Sequence, residues 1–132
     1  MGAMGLFGRK KAKESPEAIR RRIELEKDDI ELAKKLEAQD RQHKAILEAE
    51  RVYEETGDIG GLIDFWEDIW GFGGLLFNGS KWTFRLPDLY IQIQEYDNAL
   101  RILRMIKNPA YQEKRNSYIE RVYELKAKKG KG

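Results

Sequence analysis

The chain has 132 residues, of which 41% are hydrophobic and 36% are charged, with no cysteine and a single histidine. The charged fraction exceeds the roughly 25% of an average globular protein, which favours long solvated helices over buried strands. The absence of cysteine excludes disulfides and thiolate metal sites and favours a reducing, cytoplasmic location, and His43 lies among charges in a predicted helix, so we expect no enzymatic activity, cofactor or metal.

The two ends of the chain are basic and the middle is acidic. Residues 1–22 carry seven Lys or Arg and two acidic residues, and residues 113–132 carry seven and three. Residues 52–80 carry six acidic residues and no Lys or Arg. We therefore expect an acidic body between two basic segments.

Within the basic N-terminal segment, residues 1–14 are predicted to be a disordered tail. Residues 1–3, ahead of Met4, resemble a cloning scar. The cationic side chains of the tail are suited to weak contact with nucleic-acid phosphates or with an anionic membrane. These side chains are Arg9, Lys10, Lys11 and Lys13. A second disordered basic tail is predicted over residues 129–132.

A long charged helix is predicted over residues 15–56, because Ser15 and Pro16 fit the N-cap and first helical positions and no breaker follows before Gly57. A thin line of leucines recurs along it at near-heptad spacing. That line consists of Leu25, Leu32, Leu36 and Leu47. It is compatible with self-association or docking to a partner, and equally with a helix that packs on its own domain.

A second helix with a dense apolar face follows Gly57 and ends at the glycine cluster of residues 71–74. Residues 75–86 leave two alternatives open. Asn78-Gly79 between apolar runs is typical of a β-hairpin, whereas Ser80 as a cap would start a helix near Trp82 that contains Pro87. Two more amphipathic helices are predicted, one up to Asn108-Pro109 and a final one over 110–128. The sequence thus predicts an all-α fold, with a single helical domain over residues 15–128.

An internal repeat of 37 residues carries a family resemblance. Leu86-x-x-Leu89-Tyr90, followed by Gln94-Glu95-Tyr96-Asp97-x-Ala99-Leu100-x-x-Leu103, resembles a tetratricopeptide repeat. A shift of 37 residues places Tyr53 on Tyr90 and Leu62 on Ala99, where the family has a spacing of roughly 34 residues. The resemblance implies two stacked helix pairs over about residues 43–108 and a capping helix over 110–128, in addition to the long N-terminal helix predicted above.

The resemblance also implies a short groove, lined by the first helix of each pair, that binds a peptide or a partner helix. Carrying the lining positions over gives Lys44, Leu47, Arg51, Glu54 and Glu55 from the first unit, Lys81, Phe84, Arg85, Asp88, Ile91 and Gln92 from the second, and Arg121 from the cap. Lys81 and Arg85 match two basic positions with which some family members bind a terminal carboxylate. The sequence therefore predicts a non-catalytic scaffold for a protein or peptide partner. The alternative is an accessory protein that associates with nucleic acid or an anionic surface through its basic ends.

Overall fold

The computed structural model describes residues 14–131, and the residues described form helices and turns without a strand. The α-helices are α1 (Pro16–Thr56), α2 (Ile59–Gly71), α3 (Ser80–Thr83), α4 (Arg85–Gln92), α5 (Tyr96–Met105) and α6 (Gln112–Lys131), and a 3₁₀ turn, Pro109–Tyr111, precedes α6. The all-α prediction is confirmed, and the hairpin alternative for residues 75–86 is wrong.

Backbone contacts divide the chain into two compact units, with the boundary between Asp40 and Arg41 inside α1. In the first unit, residues 14–40 are helical from Pro16 onward and none of their side chains is buried. The Ser15 hydroxyl accepts a hydrogen bond from the Ala18 amide at 3.1 Å, which satisfies one of the free amides at the helix start. The predictions of one domain over 15–128 and of self-association through this helix stay predictions. The basic side chains Arg9, Lys10, Lys11 and Lys13 lie outside the described residues.

The second unit, residues 41–131, contains the hydrophobic core. Ile46 is the buried residue of α1, and Trp66 of α2, Leu89 of α4, Ile102 of α5 and Val122 of α6 are likewise fully buried. Each helix therefore buries one apolar face against its neighbours, as amphipathic helices of this length require.

The segment between the glycine cluster and α4 is helical with one break. Pro87 has no N–H to donate to the Thr83 carbonyl four residues earlier, and the helix is interrupted at Phe84, between α3 and α4. The predicted cap at Ser80 is wrong, because Gly79, in an extended conformation, occupies the capping position and Ser80 is already helical.

The internal repeat is visible in the backbone. Gly57 and Gln94, which are 37 residues apart, both adopt the left-handed conformation, with φ of 70° and 62°. The next helix begins two residues later in each case, at Ile59 and at Tyr96. The correspondence extends to burial, because Leu62, Ile63 and Trp66 match the buried Ala99, Leu100 and Leu103. These observations support an internal repeat, while membership in the tetratricopeptide family stays a prediction.

The two helix pairs are not packed equally closely. Among the described residues, the backbones of α4 and α5 lie close together over a longer stretch than those of any other helix pair. α1 and α2 are not among the closely packed pairs. The fully buried Ala99 lets the backbones of α4 and α5 come together, and Leu62 occupies the equivalent position in α2. A bulkier side chain at this contact keeps two helix axes farther apart.

The C-terminal end differs from the prediction of a disordered tail over residues 129–132, because α6 continues through Lys131. The Lys129 ammonium donates a hydrogen bond to the Gln94 carbonyl at 3.0 Å and lies 5.6 Å from the centre of the Tyr96 ring. Lys126 pairs with Asp97 at 2.6 Å one turn earlier. These contacts hold the last turns of α6 against the turn between α4 and α5.

Candidate functional site

A cleft of about 500 Å³ opens in the second unit between the C-terminal part of α1 and helices α3, α4 and α6. The cleft is lined by seven of the residues that the sequence predicted for the groove. They are Leu47, Arg51, Glu54, Lys81, Phe84, Arg85 and Asp88. The fold thus brings into one concave surface side chains from helices that are distant in the sequence.

The other five predicted groove residues are not part of this lining. Lys44, Ile91 and Arg121 lie elsewhere on α1, α4 and α6. Glu55 accepts a hydrogen bond from Arg51 at 2.6 Å on the outer face of α1, and Gln92 donates to the Tyr53 hydroxyl at 3.4 Å. The cleft is therefore shorter than the predicted groove.

Phe84 borders the cleft but belongs to the core. Its side chain is only 1% exposed, and its ring lies 4.7 Å from that of Tyr118 and 6.2 Å from that of Tyr111. The expectation that Phe84 offers an accessible apolar surface to a partner is wrong. Phe84 lies at the break between α3 and α4 and packs inward, toward Tyr118 of α6.

Glu50 is the central acceptor on the wall of the cleft. Its carboxylate accepts from the indole N–H of Trp66 at 3.0 Å and from Arg85 through Nε at 2.9 Å and Nη2 at 2.7 Å. The Glu50 and Arg85 side chains are 15% and 25% exposed. The hydrogen bond to Glu50 raises the pKa of Arg85 even though burial lowers it. The hydrogen bonds from Trp66 and Arg85 to this one carboxylate connect α1, α2 and the start of α4.

This pairing determines which positive charges the cleft can offer. Arg85 is held by Glu50, and Arg51 is held by Glu48 and Glu55, so neither guanidinium is left for a terminal carboxylate. Lys81 and Lys114 instead lie over aromatic rings, 4.5 Å from the Trp82 centroid and 4.9 Å from the Phe84 centroid. Among the described residues, neither lysine has a carboxylate partner.

Tyr118 and Asp88 form a second polar contact at the cleft. Burial, together with the charge and hydrogen bond of Asp88, raises the pKa of Tyr118 to about 12. The phenol therefore stays protonated at neutral pH. Both residues line the cleft, one from α6 and one from α4.

The sequence reasoning missed five residues of the lining. They are Glu50, Ser80, Trp82, Lys114 and Tyr118. A signal for Glu50 was present, since Ile46, Glu50 and Tyr53 recur at helical spacing and place an acid on the packing face of α1. Lys114 and Tyr118, one turn apart on α6, carried no such signal, because the packing of α6 against α3 and α4 is decided by the fold.

Comparisons of the chain with protein-family models, with curated proteins and with solved structures give no match. Within residues 14–131, no helix has the length and apolar character needed to cross a membrane. In the same part of the chain, no group of three or more His, Asp or Glu side chains is arranged to hold a metal ion.

Proposed function

We propose that this protein is a non-catalytic interaction scaffold that binds a peptide or partner helix in the cleft between α1, α3, α4 and α6. The observation that carries the proposal is that seven groove positions expected from the sequence line one concave surface. Two repeat units give only a short surface, and stable specific interfaces usually bury about 1,200–2,000 Å² in total. We therefore expect affinity in the micromolar range. The absence of cysteine supports a cytoplasmic location for such a scaffold.

The accessible apolar part of the cleft is formed by Leu47 and Trp82. Leu47 is 49% exposed, and the Trp82 indole, which is partly buried, stacks on that of Trp66 with the ring centroids 5.9 Å apart. Because Trp66 packs against the Trp82 indole, the exposed part of that ring, beside the Lys81 ammonium, is positioned to contact one apolar side chain of a ligand.

The charges around this apolar surface have both signs. Lys81 and Lys114 supply two cations without carboxylate partners, and Glu54 and Asp88 supply two anions. A complementary ligand therefore carries an apolar residue flanked by acidic residues on one side and basic residues on the other. A terminal carboxylate bound through Arg85 is not part of the proposal, because Glu50 already occupies that guanidinium.

Selection of a random peptide library on the full chain tests this proposal. We expect the enriched peptides to share an apolar residue with acidic and basic flanks. Fluorescence polarisation with one such peptide then measures the effect of Lys81→Glu combined with Lys114→Glu, which should weaken binding at least about tenfold, since like charges oppose the acidic flank.

The matched control is Lys128→Glu, an exposed lysine of α6 outside the cleft. It makes the same charge change as each of the two single substitutions and should leave the affinity unchanged. Equal loss of binding in the control, or normal binding by the double variant, would contradict the assignment of the cleft. Enrichment of no peptide at all would contradict the scaffold function itself.

A further inference from the structure

The loop between α2 and α3 is held firmly in place. The side-chain amide of Gln42 donates to the Gly74 carbonyl at 3.1 Å and accepts from the Leu76 amide at 2.9 Å. Gly73 and Gly74 adopt φ values of 113° and 89°, and the Gly74 amide donates to the Ile69 carbonyl at 2.9 Å. These bonds fix the backbone of the loop against α1 and the end of α2.

This fixed loop presents Phe72 to solvent. The Phe72 side chain is 91% exposed, the highest value among the large exposed hydrophobic residues, although an apolar core lies directly behind the loop. An aromatic ring on a rigid backbone has little conformational entropy to lose on association, which is the usual property of an anchor residue at an interface.

A pocket of about 150 Å³ lies next to Phe72 and is separate from the cleft of the proposed function. Its lining begins at Gly73, the residue that follows Phe72, and combines six apolar or aromatic side chains with polar residues such as Asn78 and Lys107. The apolar side chains are Trp70, Leu75, Phe77, Met105, Ile106 and Tyr111. A volume of roughly 150 Å³ is large enough to hold a benzene ring.

We propose that Phe72 inserts into this pocket of a second copy of the chain, and that the second copy inserts its own Phe72 in return. When a projecting side chain and the pocket that receives it adjoin on one surface, two copies of the chain can associate about a twofold axis. Each copy then offers and receives the same contact. Placed on opposite faces, the side chain and the pocket would generate an open chain of molecules instead.

The charges beside the two features are complementary. Asp68 lies one helical turn before Phe72 and is exposed, whereas Lys107 borders the pocket and is also exposed. Neither has an ion-pair partner among the described residues. In the reciprocal contact, Asp68 of one copy approaches Lys107 of the other, which adds orientation to the apolar insertion.

Sedimentation velocity of the full chain tests this dimer over protein concentrations from about 1 µM to about 1 mM, the range in which a small interface of this kind dissociates. We expect a reversible monomer–dimer equilibrium. Phe72→Ala should raise the dissociation constant at least about tenfold, and circular dichroism should show an unchanged fold because the ring is exposed. A monomer throughout this range, or an unaffected Phe72→Ala dimer, would overturn the proposal.

Exchanging the charges at positions 68 and 107 tests whether the dimer forms through the reciprocal contact or through non-specific association. Asp68→Lys and Lys107→Glu should each weaken the dimer, and the double variant, in which the attraction is restored with reversed sign, should recover most of the original affinity. The control is Leu32→Ala, which removes an exposed leucine of α1 far from this loop in the sequence and should have no effect. Dissociation by Leu32→Ala but not by Phe72→Ala would assign self-association to the leucine line of α1 and refute the loop. Additive weakening in the double charge variant would also refute the Asp68–Lys107 contact.

Discussion

Replacement of Glu50 by alanine should destabilise the second unit far more than replacement of Glu48, two residues earlier on the same helix. Glu50 accepts hydrogen bonds from Trp66 and Arg85 in a partly buried position. Glu48 pairs with Arg51 on the surface, where the two side chains are 60% and 51% exposed. The two substitutions remove the same atoms and make the same change in helix propensity.

The magnitude follows from what each deletion leaves behind. Without Glu50, the buried indole N–H of Trp66 has no acceptor, which costs about 1–3 kcal/mol. Arg85 also loses its partner, but its 25% exposure lets water replace part of the interaction, so the total stays below the roughly 3–5 kcal/mol seen for fully buried pairs. We expect a loss of about 2–4 kcal/mol for Glu50→Ala and a much smaller loss for Glu48→Ala, because the ion pair of Glu48 is exposed to solvent.

Urea unfolding of the full chain, followed by far-ultraviolet circular dichroism and tryptophan fluorescence, measures both losses. All three tryptophans lie in the second unit, so their fluorescence reports on that unit. A double-mutant cycle with Trp66→Phe should show that the effect of Glu50→Ala is partly removed when the indole N–H is absent. If the two alanine variants differ by less than about 1 kcal/mol, the Glu50 contacts do not hold the helices together as argued.

Phe84→Ala should lower the free energy of unfolding by about 3–5 kcal/mol in a thermal or urea melt, because the ring is in the core, and an unchanged melting temperature would place it outside. Gln94→Gly should stabilise the protein by about 0.5 kcal/mol, because glycine relieves the left-handed conformation, whereas Gly57→Ala should destabilise it by about 1 kcal/mol in the same urea assay. Tyr118, whose pKa is raised, contributes stability that is fully present below pH 10 and lost as the pH rises through about 12. In urea melts between these pH values, the free energy of unfolding of Tyr118→Phe should fall less steeply with pH than that of the unsubstituted protein. An identical slope would contradict the interaction of Tyr118 with Asp88.

Local sequence signals were sufficient for most helix boundaries. Ser15-Pro16 predicted the start of α1, Thr56-Gly57-Asp58 predicted its end, and the apolar face of residues 62–70 predicted α2. These signals act within one or two turns of helix, through capping bonds, backbone conformation and periodicity, so they can be read without knowledge of the fold.

Where a local signal supported two structures, tertiary contacts decided between them. Asn78-Gly79 favours a hairpin, but Thr83, Phe84 and Leu86 are all buried in the core, and a strand would turn alternate residues of that segment away from it. The end of α6 was decided in the same way, since its lysines contact Gln94, Tyr96 and Asp97 from another part of the chain.

By itself, the sequence determined the helical class of this protein, the order of its helices and the approximate face that carries the cleft. Only the tertiary structure decided which of those side chains are available, because it buried Phe84 between α4 and α6, used Arg85 to pair with Glu50 and left Phe72 exposed beside an apolar pocket. The physical reason is that helix formation depends on neighbours along the chain, whereas burial and ion pairing depend on residues that are distant in sequence and meet only when the helices pack.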